Sequence, residues 1–163
     1  MIVVGYQGIG KSTLCKSKNI SFRFIDLESS SFRGKDGARP DDWYIYYCNV
    51  AEHLSKQNCV VFVSSHKEVR DILKNSNENV VCVFPSLKIK DEWIKRLENR
   101  YNMTKSDKDY RAWKNALQCY DNNVKDLENC GIPFIEIDNM NYKLDEIIID
   151  YEISLISRKM TAD

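Results

Sequence analysis

Short apolar runs recur along this chain and alternate with stretches whose apolar residues return every three or four positions. Residues 1–4, Met1-Ile2-Val3-Val4, read as a first strand. A glycine-bearing turn follows, then a helix opening at Lys11-Ser12. Phe22-Arg23-Phe24-Ile25-Asp26 reads as a second strand ending in an acid. Cys59–Val63 and Val80–Phe84 are continuous apolar runs, the mark of strands covered on both faces. Phe134–Asp138 is the fifth strand.

The segments between them carry helix or loop signals. Residues 29–40 are polar, contain Gly and Pro, and read as a loop. Asp41 or Asp42 is the expected cap of a helix through about residue 57, with Trp43, Tyr47, Val50, Ala51 and Leu54 on one face. Ser64 or Ser65 is expected to cap a helix bearing Val69, Ile72 and Leu73. A helix over about 90–101, a charged link around Thr104–Asp107 and a longer helix to about 129 come next. Residues 143–158 close the chain as an amphipathic helix, and Lys159–Asp163 are expected to fray.

Strands alternating with helices predict βαβ units, hence a three-layer α/β/α fold around a mainly parallel five-stranded sheet. Right-handed crossovers then put ligands at the carboxyl ends of the strands. The 163 residues, 43% of them hydrophobic, suit one domain with a real core, 1–163. No internal repeat is visible.

Charge and cysteine change the picture by exclusion. Lys and Arg number 24 and so do Asp and Glu, which argues against coating a nucleic acid but leaves room for a local basic pocket. The six cysteines contain no C-x-x-C pair and there are two histidines, which argues against zinc. Free thiols are expected, with Cys59 and Cys82 serving as small core hydrophobes. With no charged leader before a long apolar stretch, and no apolar run near the roughly 20 residues of a membrane span, a cytoplasmic location and no membrane partner are expected. Trp43, Trp93 and Trp113 are expected in packing rather than as base-stacking platforms.

Gly5-Tyr6-Gln7-Gly8-Ile9-Gly10-Lys11-Ser12 matches G-x-x-x-x-G-K-[ST], the P-loop, followed by Thr13. Triphosphate oxygens need several donors aimed inward, and so tight a loop needs conformations that Gly adopts cheaply. Amides at the start of the next helix add donors and dipole. Gly5, Gly8, Ile9, Gly10, Lys11, Ser12 and Thr13 are therefore the expected ATP contacts. Lys11 supplies a mobile charge for the β- and γ-phosphates, and Ser12 a hydroxyl for Mg²⁺. No N-K-x-D motif of the GTPases is present. Val60–Val63 runs into Ser64-Ser65 rather than the acid of a motor-like ATPase.

The remaining pattern resembles the small P-loop kinases of the nucleoside-monophosphate kinase, shikimate kinase and gluconate kinase group. The likeness spans nearly the whole chain as an order of elements and is specific at a few places. The second strand ends in Asp26, followed by Leu27-Glu28, where those kinases often carry a D-x-D or D-G-D run. The resemblance implies that Asp26 lies near the acceptor hydroxyl and the Mg²⁺ shell, with Glu28 beside it. Ser64-Ser65-His66 followed by Val69-Arg70-Asp71 looks like the S-x-x-x-x-x-R-D stretch of gluconate kinases, which implies an acceptor role for Arg70. Asp41-Asp42-Trp43 loosely resembles their D-x-D-R-x-x-W helix start. Arg96 and Arg100 resemble the R-x-x-x-R entrance to the lid, which implies a short helical lid over about 96–111 whose arginines touch the transferring group. Arg111 is a weaker candidate. The loop Asp138–Asn141 is implied as part of the pocket for the base.

Physical chemistry agrees with these roles, because phosphoryl transfer needs positioning and positive charge more than covalent help. Arg96 and Arg100, four apart, share a helix face. In the expected acceptor segment, 28–43, Arg33, Lys35 and Arg39 cluster, as a phosphate on the acceptor would require. The expected activity is thus phosphoryl transfer from ATP to a nucleotide or nucleoside monophosphate. A small polar metabolite is the second acceptor class. A polynucleotide 5′-hydroxyl is disfavoured by the zero net charge. A P-loop nucleotide switch without an acceptor is the alternative outside enzymes.

Overall fold

A computed structural model describes residues 1–17 and 23–161. Phe22 of the expected second strand and Ala162–Asp163 of the tail lie outside them. Five strands form one parallel sheet: β1 (Ile2–Gly5), β2 (Arg23–Asp26), β3 (Cys59–Ser64), β4 (Val80–Pro85) and β5 (Phe134–Ile137). Their order is β2-β3-β1-β4-β5, so β1 is central. β1 and β4 are buried along their whole length, as their continuous apolar runs require, and β3 is buried up to Ser64.

The helices are α1 (Lys11–Lys16), α2 (Trp43–Lys56), α3 (Lys67–Leu73), α4 (Lys90–Thr104), α5 (Asp107–Glu128) and α6 (Leu144–Met160). From β1 the chain crosses one way to β2; every later crossover runs the other way. Right-handed crossovers therefore put α1 on one face of the sheet and α2, α3 and α5 on the other. The contacts agree, since α1 touches α6 while α2 touches α3. Arg70 of α3 also donates to the Asp126 carbonyl of α5 at 2.7 Å. The arrangement matches the expected three layers. The chain direction diverges between β1 and β4, and the carboxyl ends at such a point form a crevice.

Several local expectations fail for physical reasons. Asp42 precedes α2 with φ −102° and ψ 13°, not the extended backbone of a side-chain cap, and its carboxylate caps nothing. The helix starts from a turn in which Trp43 N–H reaches the Pro40 carbonyl. Ser64 ends β3, and α3 begins after His66 with no side-chain cap. Val50 points to solvent; the buried face of α2 is Trp43, Tyr47, Cys48, Ala51 and Ser55, a four-residue stagger that turns Val50 away. Residues 29–32 are a 3₁₀ turn inside the expected loop. The link between α4 and α5 is only Lys105-Ser106, with Lys105 left-handed at φ 51°. The lid candidate is thus the junction of two long helices. α6 continues through Lys159 and Met160 rather than fraying there.

One buried cluster joins the sheet to both helix layers. Cys59 and Cys82 lie in it as expected. Trp93 is completely buried and its indole N–H donates to the Gln7 carbonyl at 3.1 Å, fixing α4 against the glycine loop. Trp43 is also buried, against Tyr47. Trp113 stacks on Tyr101 at 5.7 Å, holding α4 and α5 together. Among the described residues no helix is long and apolar enough to cross a membrane.

Candidate functional site

The glycine loop joins the end of β1 to α1, and each glycine in its pattern has a reason. A Cβ on Gly5 would fall 2.7 Å from Ile9 Cδ1 and 2.8 Å from Lys11 Cδ. Gly8 and Gly10 sit at φ 87° and 98°, conformations other residues rarely adopt. Lys11 folds back under the loop, its Nζ donating to Gly5 O at 2.7 Å and Tyr6 O at 3.4 Å. The residue keeps some exposed area, but the ammonium tip is enclosed by the loop. Loss of solvent brings its pKa down to about 8; the Asp26 and Glu28 carboxylates pull the other way.

Ser12 opens α1 and Asp26 ends β2, and the Ser12 hydroxyl donates to Asp26 Oδ2 at 2.5 Å. α2 supports this corner through Tyr47, which links it to the end of β3: its hydroxyl donates to Leu27 O at 2.6 Å and accepts from Ser64 N–H at 2.9 Å. Burial pushes the Tyr47 phenol up to about 12.

The facing wall comes from α4 and α5. Arg96 lies over the rings of Trp93 and Tyr142, 5.1 and 5.5 Å from their centroids. Tyr142 in turn donates to the Ile9 carbonyl at 3.0 Å. Arg100 Nε approaches Asp109 Oδ1 to 2.8 Å, a charge contact whose N–H is not aligned as a hydrogen bond. Asp109 also accepts from Thr104 Oγ1 at 2.6 Å and Ser106 Oγ at 3.0 Å. Burial opposes ionisation of this carboxyl, but the hydroxyls and Arg100 outweigh it and hold it below its ordinary value. Lys108 pairs with Glu28, tying α5 to the segment after β2. Between the walls is a cleft of about 850 Å³, lined also by Arg111, Asn115 and Asn123.

Such a cleft can take an anionic ligand. Lys11, Arg96, Arg100, Lys108 and Arg111 all line it, against Asp26, Glu28 and Asp109. Among the described residues no group of three or more His, Cys, Asp or Glu forms a metal cage; the Ser12 hydroxyl and the Asp26 carboxylate share one hydrogen bond at this corner. No protein-family model and no curated protein matches the chain, so the site is read from its own geometry.

The structure brings most of the sequence-derived candidates together. Gly5, Gly8, Ile9, Gly10, Lys11, Ser12, Thr13, Asp26, Glu28, Arg96 and Arg100 all line the cleft. Arg70 reaches its edge but is buried, its guanidinium spent on the carbonyls of Ser65 and Asp126. Arg33 is exposed and donates to Gly37 O at 2.8 Å, away from the cleft. Arg39 stands behind the wall. Its guanidinium lies 4.3 Å from the Trp43 ring, bonds Ser29 Oγ at 2.8 Å and meets His66 Nε2 at 3.2 Å. Since an arginine only donates, Nε2 accepts and Nδ1–H faces Ser64 Oγ at 2.8 Å. Burial first, then Arg39, lowers the His66 pKa, so this imidazole is neutral. Met140, from the loop that the resemblance implies for the base, joins Arg96, Arg100 and Met103 around a second hollow of about 480 Å³.

Sequence reasoning missed Lys108, Gln7, Asn115 and Asn123. The Glu28–Lys108 pair joins residues 80 apart, which no local pattern reveals. The start of α5 was legible: Ser106-x-x-Asp109 has the spacing of a capping box, and Ser106 Oγ caps the helix by accepting from Asp109 N–H at 3.2 Å.

Proposed function

We propose that this chain is a P-loop phosphotransferase that moves a phosphoryl group from ATP to a small phosphorylated acceptor, a nucleotide or nucleoside monophosphate first among them. One observation carries the reading. Lys11 and the Ser12–Asp26 corner form one wall of the cleft, and Arg96, Arg100, Lys108 and Arg111 form the other. The residues present fit Mg²⁺-ATP. An enclosed ammonium bonded only to carbonyls gains most from an anion, and a Cβ on Gly10 would meet nothing within 4 Å among the described residues.

In this reading the loop amides and Lys11 hold the phosphates, while the Ser12 hydroxyl and Asp26 carboxylate hold the metal directly or through water. Mg²⁺-ATP supplies the phosphoryl group and neutralises part of its charge. Asp26 would take the proton of an acceptor that attacks through a hydroxyl; a monophosphate attacks through an oxygen that is already ionised and needs no base. Arg96 and Arg100 lie across the cleft, where positive charge favours the transition state over the ground state. Arg33 and Arg39 lie off the cleft surface, so the acceptor phosphate meets Lys108 and Arg111 instead.

A nucleotide switch is the second reading, favoured by one contact. The Lys108–Glu28 pair ties the two walls together beside the Ser12–Asp26 corner. A coupled assay with nucleoside monophosphates and phosphorylatable metabolites separates the two. Acceptor-dependent ADP release, with product mass raised by one phosphoryl group and lost in Lys11→Ala, supports the kinase. Slow hydrolysis indifferent to every acceptor supports the switch.

A further inference from the structure

Three amide side chains meet on the wall of the cleft. Gln7 follows β1 in the glycine loop, and Asn115 and Asn123 lie two helical turns apart on α5. Gln7 Nε2 donates to Asn115 Oδ1 at 3.2 Å, and Asn123 Nδ2 donates to the same oxygen at 2.8 Å. Asn115 therefore spends its carbonyl on both neighbours and keeps its amide hydrogens. Gln7 and Asn123 spend hydrogens and keep their carbonyl oxygens. All three residues line the cleft. Inverting the amides exchanges the kept groups but preserves the alternation of donor and acceptor. Beside them the Tyr6 hydroxyl is buried against Asn123 and Gln7 without an aligned hydrogen bond; Tyr6 itself is 2% exposed.

The geometry points to this amide triad as the subsite that reads the neutral, hydrogen-bonding end of the acceptor. The inference rests on the kinase reading above. Two observations give it direction. Lys108, Arg111, Asn115 and Asn123 all line the cleft from one helix, so α5 offers cations near its start and neutral amides further along. A ligand with an anionic head and an uncharged body matches that gradient. The triad also lies on the face of the sheet that carries α2, α3 and α5, opposite the face to which Lys11 and Ser12 lead through α1. The chemistry required is a neutral group offering a donor beside an acceptor. The lactam or amidine edge of a nucleobase has it, and so do the vicinal hydroxyls of a sugar.

Asn115→Asp tests this without dismantling the wall, since a carboxylate still accepts from Gln7 and Asn123 while the outward amide hydrogens disappear. Binding of AMP, GMP, CMP, UMP, dTMP, ribose 5-phosphate and glycerol 3-phosphate is measured by calorimetry, with a non-hydrolysable ATP analogue as the reference ligand. In the wild type, one or more of these phosphates should bind better than the rest. In Asn115→Asp that preference should shrink by roughly tenfold, with analogue affinity and unfolding midpoint unchanged. A preference among the nucleotides identifies a base edge; a preference for ribose 5-phosphate identifies hydroxyls. Asn123→Ala provides the same comparison should Asn115→Asp not fold. An undiminished preference in a folded variant, or a wild type indifferent to all seven phosphates, overturns the subsite. Failure of the kinase reading shows differently, as binding and discrimination without any acceptor-dependent ADP release.

Discussion

Ser12 and Asp26, 14 residues apart in the chain, meet through a hydrogen bond of 2.5 Å that joins the first turn of α1 to the last residue of β2. The parallel sheet makes this meeting possible. β2 pairs with β3, which pairs with β1, so the carboxyl ends of β1 and β2 open on the same edge. The hydroxyl and the carboxylate are both hard oxygen ligands suited to Mg²⁺. The kinase reading separates their roles. Asp26→Asn should keep ATP affinity and lower kcat by roughly a hundredfold or more. Ser12→Ala should instead raise the Mg²⁺ concentration needed for half-maximal rate. Calorimetry and a metal titration of turnover check both, and full activity in Asp26→Asn would remove it from the site.

Lys11 gives a pH dependence whose sign follows from its enclosure. Its pKa in the folded chain lies at about 8, below the ordinary lysine value, because the loop strips water from the ammonium. A bound anion favours the charged form and so raises that pKa. Above about 8, binding therefore requires proton uptake, and ATP affinity should fall as pH rises through this value. An exposed lysine would hold affinity to much higher pH. Calorimetry in buffers of different ionisation enthalpy measures the uptake directly. Affinity flat across that range would show that Lys11 does not meet the phosphates.

The strands and the glycine loop were legible in the sequence because their signals are local. A short β-branched apolar run such as Val80–Phe84 favours a strand buried on both faces, and it became β4. The glycines between Gly5 and Ser12 likewise mark a tight turn, and Gly8 and Gly10 are left-handed in it. What stayed hidden depends on pairing across the chain. Arg33 and Arg39 formed a basic cluster in sequence, but a tight turn consumes the first and Trp43, Ser29 and His66 consume the second. Arg70 carried a family-like spacing and proved to be a brace between α3 and α5. Asn115 and Asn123 belong to no motif. Only the approach of α5 to Gln7 joins two helix-surface amides to the glycine loop.

Tyr47 yields a stability test independent of any ligand. Its hydroxyl serves Leu27 O and Ser64 N–H at once, and the residue is completely buried. Tyr47→Phe leaves both backbone groups without this partner beside the Asp26 corner. Unfolding in urea should show a loss of about 1–3 kcal/mol, with an unchanged slope against denaturant. A cost near zero would mean that water or a shifted backbone replaces the phenol.

Arg100 and Asp109 test whether the α4–α5 junction positions a catalytic charge. Arg100 lines the cleft from α4 and touches Asp109 of α5 at 2.8 Å. Asp109 also binds Thr104 and Ser106, so it anchors the junction and orients the guanidinium together. In the kinase reading Arg100→Ala should lower kcat by at least about tenfold with little change in ATP affinity, since that reading has its contact with the transferring group strengthen in the transition state. Asp109→Asn keeps shape and most hydrogen bonding but removes the charge that holds Arg100. It should lower kcat less, with a small fall in stability. If Asp109 acts only through Arg100, the double variant will be no slower than Arg100→Ala alone. Losses that multiply would instead give Asp109 a role of its own in the cleft. Full activity in Arg100→Ala would leave Arg96, Lys108 and Arg111 as the cations that face the phosphates.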